Sequence, residues 1–120
     1  MLAAKYRIAV VNQSGGSVTQ CSVRTTAWKF DVTGALEYDT SVTELTGSIA
    51  DTATAFTAEV TNTAKLMLGL HGQATFTGGG SGSCYVYFQQ SDDGTNWADV
   101  LSNPIATATN PAGKVVEFEV

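Results

Sequence analysis

The stretch that decides the fold is Ser83-Cys84-Tyr85-Val86-Tyr87-Phe88-Gln89-Gln90-Ser91-Asp92-Asp93-Gly94-Thr95-Asn96-Trp97-Ala98-Asp99-Val100. Side chains alternate between two faces along a β-strand, so Cys84, Val86 and Phe88 share one face while Tyr85 and Tyr87 share the other. The alternation stops at residues 91–96, and Asp-Gly is a strong hairpin signal because glycine accepts positive φ and aspartate bonds the turn's own backbone. The stretch therefore predicts a strand, a tight acidic turn and a second strand that begins at the tryptophan.

Period-two alternation recurs along most of the chain, and very little of it supports an amphipathic helix. Strands are predicted at 4–11, 17–32, 35–45, 54–61, 64–70, 73–77, 84–90, 97–101 and 114–120. Residues 44–55 fit either a loop or a short helical turn. Eight to nine short strands with regular turn signals predict one all-β domain over residues 1–120, an antiparallel β-sandwich of jelly-roll or Greek-key type.

The same alternation predicts which side chains share one face of their strand, and in the last strand this face is expected to meet the core. These are Tyr6, Ile8 and Val10; Cys21, Val23, Thr25 and Ala27; Phe56, Ala58 and Val60; Leu66, Leu68 and Leu70; and Val116, Phe118 and Val120. At Trp28, Phe30 and Val32 the apolar positions shift by one residue, which indicates a bulge or bend near Ala27. Trp97 is expected to fill the core directly after the acidic turn.

Composition and charge narrow the function classes. Charged residues make up 14% of the chain, well below the usual quarter, and the net charge is −5. Nucleic acid is therefore not an expected partner, since phosphate binding needs clustered Lys and Arg. Residues 1–30 hold four bases and no acid, whereas residues 31–120 hold two bases and eleven acids. The two regions either dock with different surfaces or interleave in the folded sandwich, where the asymmetry disappears.

The beginning of the chain and its cysteines bear on the compartment. Met1-Leu2-Ala3-Ala4 runs directly into Lys5 without the apolar core of a signal peptide, and no apolar run reaches transmembrane length. We therefore expect a protein made in the cytoplasm and kept there until it joins an assembly, with no membrane partner.

Cys21 and Cys84 are expected to be buried free thiols, with a disulfide between them as the alternative.

The sequence offers little for catalysis or metal binding. His71 is the single histidine, and neither a G-x-S-x-G turn nor a Cys-His signature occurs. Asp92 and Asp93 are the obvious carboxylate pair for glycoside hydrolysis, but an Asx-type turn explains them better. Asp92, Asp93 and Asp99 offer oxygen ligands for calcium, but they lack the regular D-x-D-x-D spacing of a calcium-binding loop. We expect no enzyme activity, no catalytic residue, no cofactor and no metal.

Two features point to binding. Residues 77–83 are rich in glycine, so Gly79 and Gly80 belong either to a mobile linker or to a loop that becomes ordered against a partner. Tyr85 and Tyr87 alternate with the apolar face and suit an interface. Alternatively, Tyr85 and Tyr87 form a platform for sugar stacking together with Trp28 and Trp97.

The turn Ser91-x-Asp93-Gly94-x-x-Trp97 after a strand resembles a segment of β-sandwich structural proteins in tailed-bacteriophage virions, which include capsid cement or decoration proteins and small tail proteins. A similar segment occurs in discoidin-like carbohydrate- and lipid-binding modules. The resemblance covers residues 85–100. It implies a non-enzymatic virion protein, best matched by a capsid cement protein that binds across major capsid subunits.

On this hypothesis the partners are the major capsid protein or other virion subunits, with a homo-oligomer possible, and the location is the virion, assembled in the host cytoplasm. The residues expected to contact the partner are Tyr85, Tyr87, Gly79, Gly80, Lys5 and Arg7. The alternative functions are a carbohydrate-binding β-sandwich module and a small phage tail protein.

Overall fold

The computed structural model describes residues 2–99 and 103–120, which form two antiparallel β-sheets packed into a sandwich. Eleven strands are defined in this part of the chain: β1 Lys5–Gln13, β2 Val18–Phe30, β3 Leu36–Tyr38, β4 Val42–Ile49, β5 Thr54–Phe56, β6 Val60–Thr61, β7 Gly69–Gly78, β8 Ser83–Ser91, β9 Ala98–Asp99, β10 Ala106–Thr109 and β11 Val115–Glu119. The predicted all-β antiparallel sandwich is confirmed.

The two sheets are built around two long central strands. In sheet I, β1 lies between β8 and the short strands β5 and β6, and β9 and β10 pair with the other edge of β8. In sheet II, β2 lies between β7 and the pair β3 and β4, and β11 covers the far edge of β7. Because the chain crosses repeatedly between sheets, most pairings join strands that are distant in sequence.

The core lies between the inward faces of the sheets. Its members from the two central strands and their neighbours include Tyr6, Ile8, Val10, Cys21, Val23, Leu70, Ala74, Phe76, Val86 and Phe88. Burying each of the larger side chains contributes about 1.5–3 kcal/mol. The shared faces predicted for β1 and for β2 up to Ala27 are the buried ones. The predicted core face of the last strand is confirmed, since Phe118 is buried and Val116 and Val120 pack against the core.

One fully buried amide joins the two sheets at one end of the sandwich. Asn12 Oδ1 accepts hydrogen bonds from Ser14 N at 3.0 Å, from Ser14 Oγ at 2.7 Å and from Cys84 Sγ at 3.4 Å. Asn12 Nδ2 donates to Gly16 O at 2.8 Å and to Ile49 O at 3.0 Å. Composition places Asn12 in a loop, but the side chain is 0% exposed and anchors β4 to the end of β1.

The predicted strand at 64–70 is wrong for residues 64–68, and only Gly69 and Leu70 belong to a strand, as the start of β7. Asn62 Oδ1 accepts from Met67 N at 2.8 Å, and Asn62 Nδ2 donates to Met67 O and Leu2 O, both at 3.1 Å. These bonds close a turn in which Leu66 has φ +54°. Leu66 and Leu68 are consequently exposed, and only Leu70 of the predicted apolar face is buried.

Other predicted strands are divided or shifted. The segment 35–45 breaks at residues 39–41, because β3 and β4 pair with different parts of β2. The segment 54–61 becomes β5 and β6, whereas 73–77 lies within the longer β7. Residues 44–55 extend β4 to Ile49 and then turn at Thr52, where φ is +65°. β10 was not predicted, and the predicted strand 97–101 is described only as far as residue 99.

The predicted bulge near Ala27 is also wrong. β2 pairs with β7 without interruption from Gln20 to Trp28, and its register shifts occur near Val18 and, against β4, at Val23–Arg24. The apolar positions change phase because Trp28, Phe30 and Val32 point away from the core, where Phe30 and Val32 are exposed. The phase change therefore marks an outer apolar surface.

Both cysteines are buried free thiols, as the sequence predicts. Burial raises the pKa of Cys21 to about 12, with a smaller contribution from Cys84. Burial also raises the pKa of the Cys84 thiol. The thiols are therefore protonated core side chains.

Candidate interaction surfaces

The outer face of sheet I gathers most of the residues predicted to contact a partner. Directly paired residues of antiparallel strands lie on the same side of a sheet. Arg7 lies opposite Gln89, and Ala9 lies between Tyr87 on β8 and Phe56 on β5. The surface formed by Arg7, Phe56, Tyr85, Tyr87 and Trp97 is called the aromatic face below. The predicted residues Lys5, Arg7, Tyr85 and Tyr87 all lie on this side of the sheet.

Arg7 is held in the middle of the aromatic face by two rings and one amide. The guanidinium carbon lies 4.0 Å from the ring centroid of Phe56 and 4.2 Å from that of Trp97. Arg7 Nε donates to Gln89 Oε1 at 2.8 Å, and Gln89 Nε2 donates to Asp99 Oδ1 at 3.0 Å. Within residues 2–99 and 103–120, neither Nη atom of Arg7 has a hydrogen-bond partner. The guanidinium is thus fixed in orientation with donors available for another molecule.

Trp97 does not fill the core as predicted. The side chain is half-buried on the outside of sheet I, where its ring stacks on Arg7. The inward positions of β8 are already occupied by Cys84, Val86 and Phe88. Trp97 follows the turn between β8 and β9 and lies on the outer side of sheet I. Arg7 lies on the same side, so the two side chains meet.

The acidic turn between β8 and β9 positions Trp97. Asp93 Oδ1 accepts from Ser91 Oγ at 3.0 Å, Thr95 N at 2.8 Å and Asn96 N at 2.9 Å, and Oδ2 accepts from Asn96 Nδ2 at 2.8 Å. These donors, the backbone N–H of Asn96 first, hold the pKa of Asp93 well below its usual range. The predicted Asx-type turn is confirmed at this carboxylate.

Lys5 lies at the rim of the same surface. Its Nζ forms an ion pair with Glu59 Oε1 at 3.0 Å, and both side chains are partly exposed. A pair of this kind contributes little to stability in water. Lys5 therefore remains available to exchange its partner when another surface approaches.

The glycine loop lies outside the aromatic face and packs within the chain. Gly80 N donates to Ser14 Oγ at 3.0 Å, and a Cβ on Gly80 would lie 2.2 Å from Ser14 O. Gly79 has φ +113°, and a Cβ there would lie 2.6 Å from Pro111 Cγ. The glycines thus permit close approach of two backbone segments. A partner contact by Gly79 or Gly80 stays a prediction.

A second surface lies on the outer side of sheet II and includes Trp28. The predicted stacking platform of Trp28 with Trp97, Tyr85 and Tyr87 is therefore wrong, because the other three side chains lie on sheet I. An open groove of about 870 Å³ is lined mainly by Trp28, Phe30, Leu36, Tyr38, His71 and Glu119. These six residues are called the hairpin groove below, because β2 and β3 form one wall. The signal for this surface in the sequence is the shift of apolar positions at Trp28 and Phe30, which marks outward side chains and not a bulge.

The apolar wall of the hairpin groove has a defined geometry. A Cβ on Gly69 would lie 2.5 Å from two carbon atoms of the Trp28 indole, so this ring packs directly on the backbone of β7. The Phe30 ring stands at 75° to the indole, with centroids 5.9 Å apart. Phe30 is 53% exposed and Tyr38 is 61% exposed.

The polar wall of the groove comes from β7 and β11. His71 Nδ1 lies 3.4 Å from Glu119 Oε1, and the two residues are cross-strand partners. Both side chains are exposed. His71 thus lies within a strand, not at the strand end that the sequence predicts.

The described part of the chain holds no group of three or more His, Cys, Asp or Glu side chains that could hold a metal ion. In residues 2–99 and 103–120 there is also no helix with the length and apolarity needed to cross a bilayer. Searches against protein-family models, curated proteins and solved structures found no match.

Proposed function

We propose that the protein is a non-enzymatic structural protein of a phage virion, a capsid cement or decoration protein that binds across neighbouring major capsid subunits. The observation that carries the proposal is the aromatic face, where Phe56 and Trp97 flank a fixed Arg7 and Tyr87 and Tyr85 continue the same side of the sheet. Tyrosine, tryptophan and arginine dominate the binding energy of protein interfaces. The face is thus built from the residue types that anchor protein partners.

The fixed arginine lowers the cost of association. A free arginine loses rotamer entropy when a partner immobilises it, at about 0.5–1.5 kcal/mol for a side chain of this kind. Phe56, Trp97 and Gln89 already restrict Arg7 in the isolated chain. The Nη atoms, which have no hydrogen-bond partner among the described residues, suit a carboxylate or a backbone carbonyl on the partner.

The acidic turn supports the choice of a virion protein. The Ser91-x-Asp93-Gly94-x-x-Trp97 turn that resembles virion β-sandwich proteins is also the element that brings Trp97 onto Arg7. A small tail protein is the nearest variant of the proposal, with a tail subunit in place of the capsid subunit on the same face.

The test mixes the purified protein with undecorated capsids assembled from the major capsid protein encoded in the same genome, and separates bound from free protein by sedimentation. Saturable binding at symmetry-related sites is expected. Arg7→Ala should weaken binding by about 30-fold, corresponding to about 2 kcal/mol for a central anchor. Arg7→Lys should also weaken it, since lysine keeps the charge but loses the planar fork.

Thr75→Ala provides the control, because Thr75 is exposed on the opposite sheet and should leave capsid binding unchanged. Cooperative denaturant unfolding of each variant shows that the fold is retained. A protein that ignores capsids and tail subunits but binds polysaccharide through the aromatic face would overturn the proposal in favour of a carbohydrate-binding module.

A further inference from the structure

We propose that the hairpin groove on sheet II is a binding site for a neutral saccharide. The groove lies on the outer side of sheet II, whereas the aromatic face lies on the outer side of sheet I. The inference does not depend on the proposed virion function. The groove joins a stacking surface to hydrogen-bonding groups, and a sugar ring presents both kinds of surface.

The aromatic wall suits the apolar face of a pyranose ring. Trp28 is fixed from below by the backbone at Gly69, because no side chain separates the indole from β7. Phe30 stands at 75° beside it, and Tyr38 is the cross-strand partner of Trp28. A flat ring with a perpendicular ring next to it presents a corner into which the C–H groups of a sugar can pack.

The opposite wall suits the hydroxyl groups. The carboxylate of Glu119 accepts hydrogen bonds, and the imidazole of His71 offers one donor and one acceptor when neutral. Their contact at 3.4 Å is exposed and easily exchanged for contacts with a ligand. The two side chains project from neighbouring strands, so one sugar residue can reach both.

The chemistry of the lining favours a neutral sugar over other occupants. A ligand without hydrogen-bonding groups would cover Glu119 and His71 without satisfying them, which costs free energy. An acidic sugar would bring its carboxylate towards Glu119, and the groove lining contains no Lys or Arg in the described residues. Arg24 lies in the adjoining shallow pocket, where its Nε donates to Ser41 Oγ at 3.1 Å.

The dimensions also fit a small ligand. Sites for small molecules occupy roughly 300–1,000 Å³ and combine a mostly apolar lining with a few polar groups. The hairpin groove has a volume of about 870 Å³ and is open along one side. An open groove of this size accepts a stretch of oligosaccharide that continues beyond the stacked ring.

The experiment uses the tryptophan content of the chain. Trp28 and Trp97 are the only two tryptophans, so Trp97→Phe leaves Trp28 as the single fluorescent reporter. This variant is titrated with maltohexaose, cellohexaose, chitohexaose and mannohexaose, and with tetragalacturonate as an acidic probe. We expect saturable change of Trp28 emission with at least one neutral oligosaccharide and none with the acidic one.

Two variants separate binding from folding. Tyr38→Ala and Glu119→Gln change exposed side chains, and each should weaken saccharide binding at least tenfold while leaving the unfolding midpoint nearly unchanged. Tyr85→Ala, on the aromatic face, is the matched control and should bind saccharide normally. Arg7→Ala should bind capsids less tightly but bind saccharide normally. This result would separate the saccharide site from the proposed capsid-binding function.

The inference is overturned if no neutral oligosaccharide binds the folded Trp97→Phe protein at millimolar concentration. It is also overturned if binding persists in both Tyr38→Ala and Glu119→Gln, or if tetragalacturonate binds as well as the neutral probes. A concentration-dependent dimer that Leu36→Lys abolishes, observed by sedimentation equilibrium, would assign the groove to self-association instead.

Discussion

At the scale of single residues, Asp93 shows how one side chain organises a turn. Four donors from three residues converge on its carboxylate, whereas Asp92 is exposed. The sequence motif predicts the turn because aspartate can bond the backbone two and three residues on. Both carboxylates are exposed, but only that of Asp93 holds the turn.

We expect the contribution of Asp93 to stability to depend on pH. The folded-state pKa lies below the ordinary value of 3.8, so the stabilisation is present above that value and is lost as the pH falls below it. Asp93→Asn should lower the urea midpoint at about pH 6, and the difference from the unsubstituted protein should shrink at about pH 2.5.

Asp92→Asn is the matched control, since it removes the neighbouring charge without touching the turn's hydrogen bonds. It should leave the midpoint nearly unchanged at both pH values. An equal loss in the two variants, or a difference for Asp93→Asn that does not vary with pH, would contradict stabilisation of the turn by the Asp93 carboxylate.

At the scale of elements, the glycine loop is a close contact between two backbone segments. Gly80 lies against residues 14–16, and its position has room for hydrogen but not for a methyl group. The composition of the loop indicates flexibility or an external partner. In the structure the glycine loop has an internal partner, because the loop after β7 meets the loop after β1 at the same end of the sandwich.

Gly80→Ala should destabilise the protein by about 1–3 kcal/mol, the usual range for overpacking. The Cβ would lie 2.2 Å from a backbone oxygen, so one of the two loops must move. Gly47→Ala is the control, since a Cβ there meets nothing within 4 Å, and it should change stability by about 0.5 kcal/mol or less. Comparable free energies of unfolding for the two variants would contradict the close packing.

At the scale of the whole molecule, the sandwich encloses its two thiols. Cys21 belongs to sheet II and Cys84 to sheet I, and neither is exposed to solvent. Thiol reagents attack the thiolate, which burial disfavours by raising the pKa of both groups. Thiol labelling therefore reports opening of the core.

We expect no reaction of the native protein with a thiol reagent such as dithiobis(nitrobenzoate), and reaction of both cysteines after denaturation. The labelling rate should rise with urea in parallel with global unfolding, because both sheets must separate to expose the thiols. Rapid labelling of one cysteine in the absence of urea would contradict a closed core on that side.

The all-β class, the buried faces of β1, β2 and β11 and the Asx-type turn are predictable from the sequence alone, and burial of the two thiols is expected from it. Each of these follows from local rules, because alternation and turn chemistry act over a few residues. The sequence could not determine the environment of an outward side chain. Arg7 on β1 meets Phe56 on β5 and Trp97 after β8 only because distant strands pair in one register.

Long-range contacts also determine the structure of segments for which the local alternation of side chains predicts the wrong environment. Leu66 and Leu68 match a strand pattern, but the buried Asn62 amide closes a turn there through bonds to Met67 and Leu2. Trp28 and Phe30 match a core pattern, but the inner volume is already filled, so they line an outer groove. Local sequence sets which side chains share a face, and long-range strand pairing decides whether that face meets the core, a neighbouring side chain or solvent.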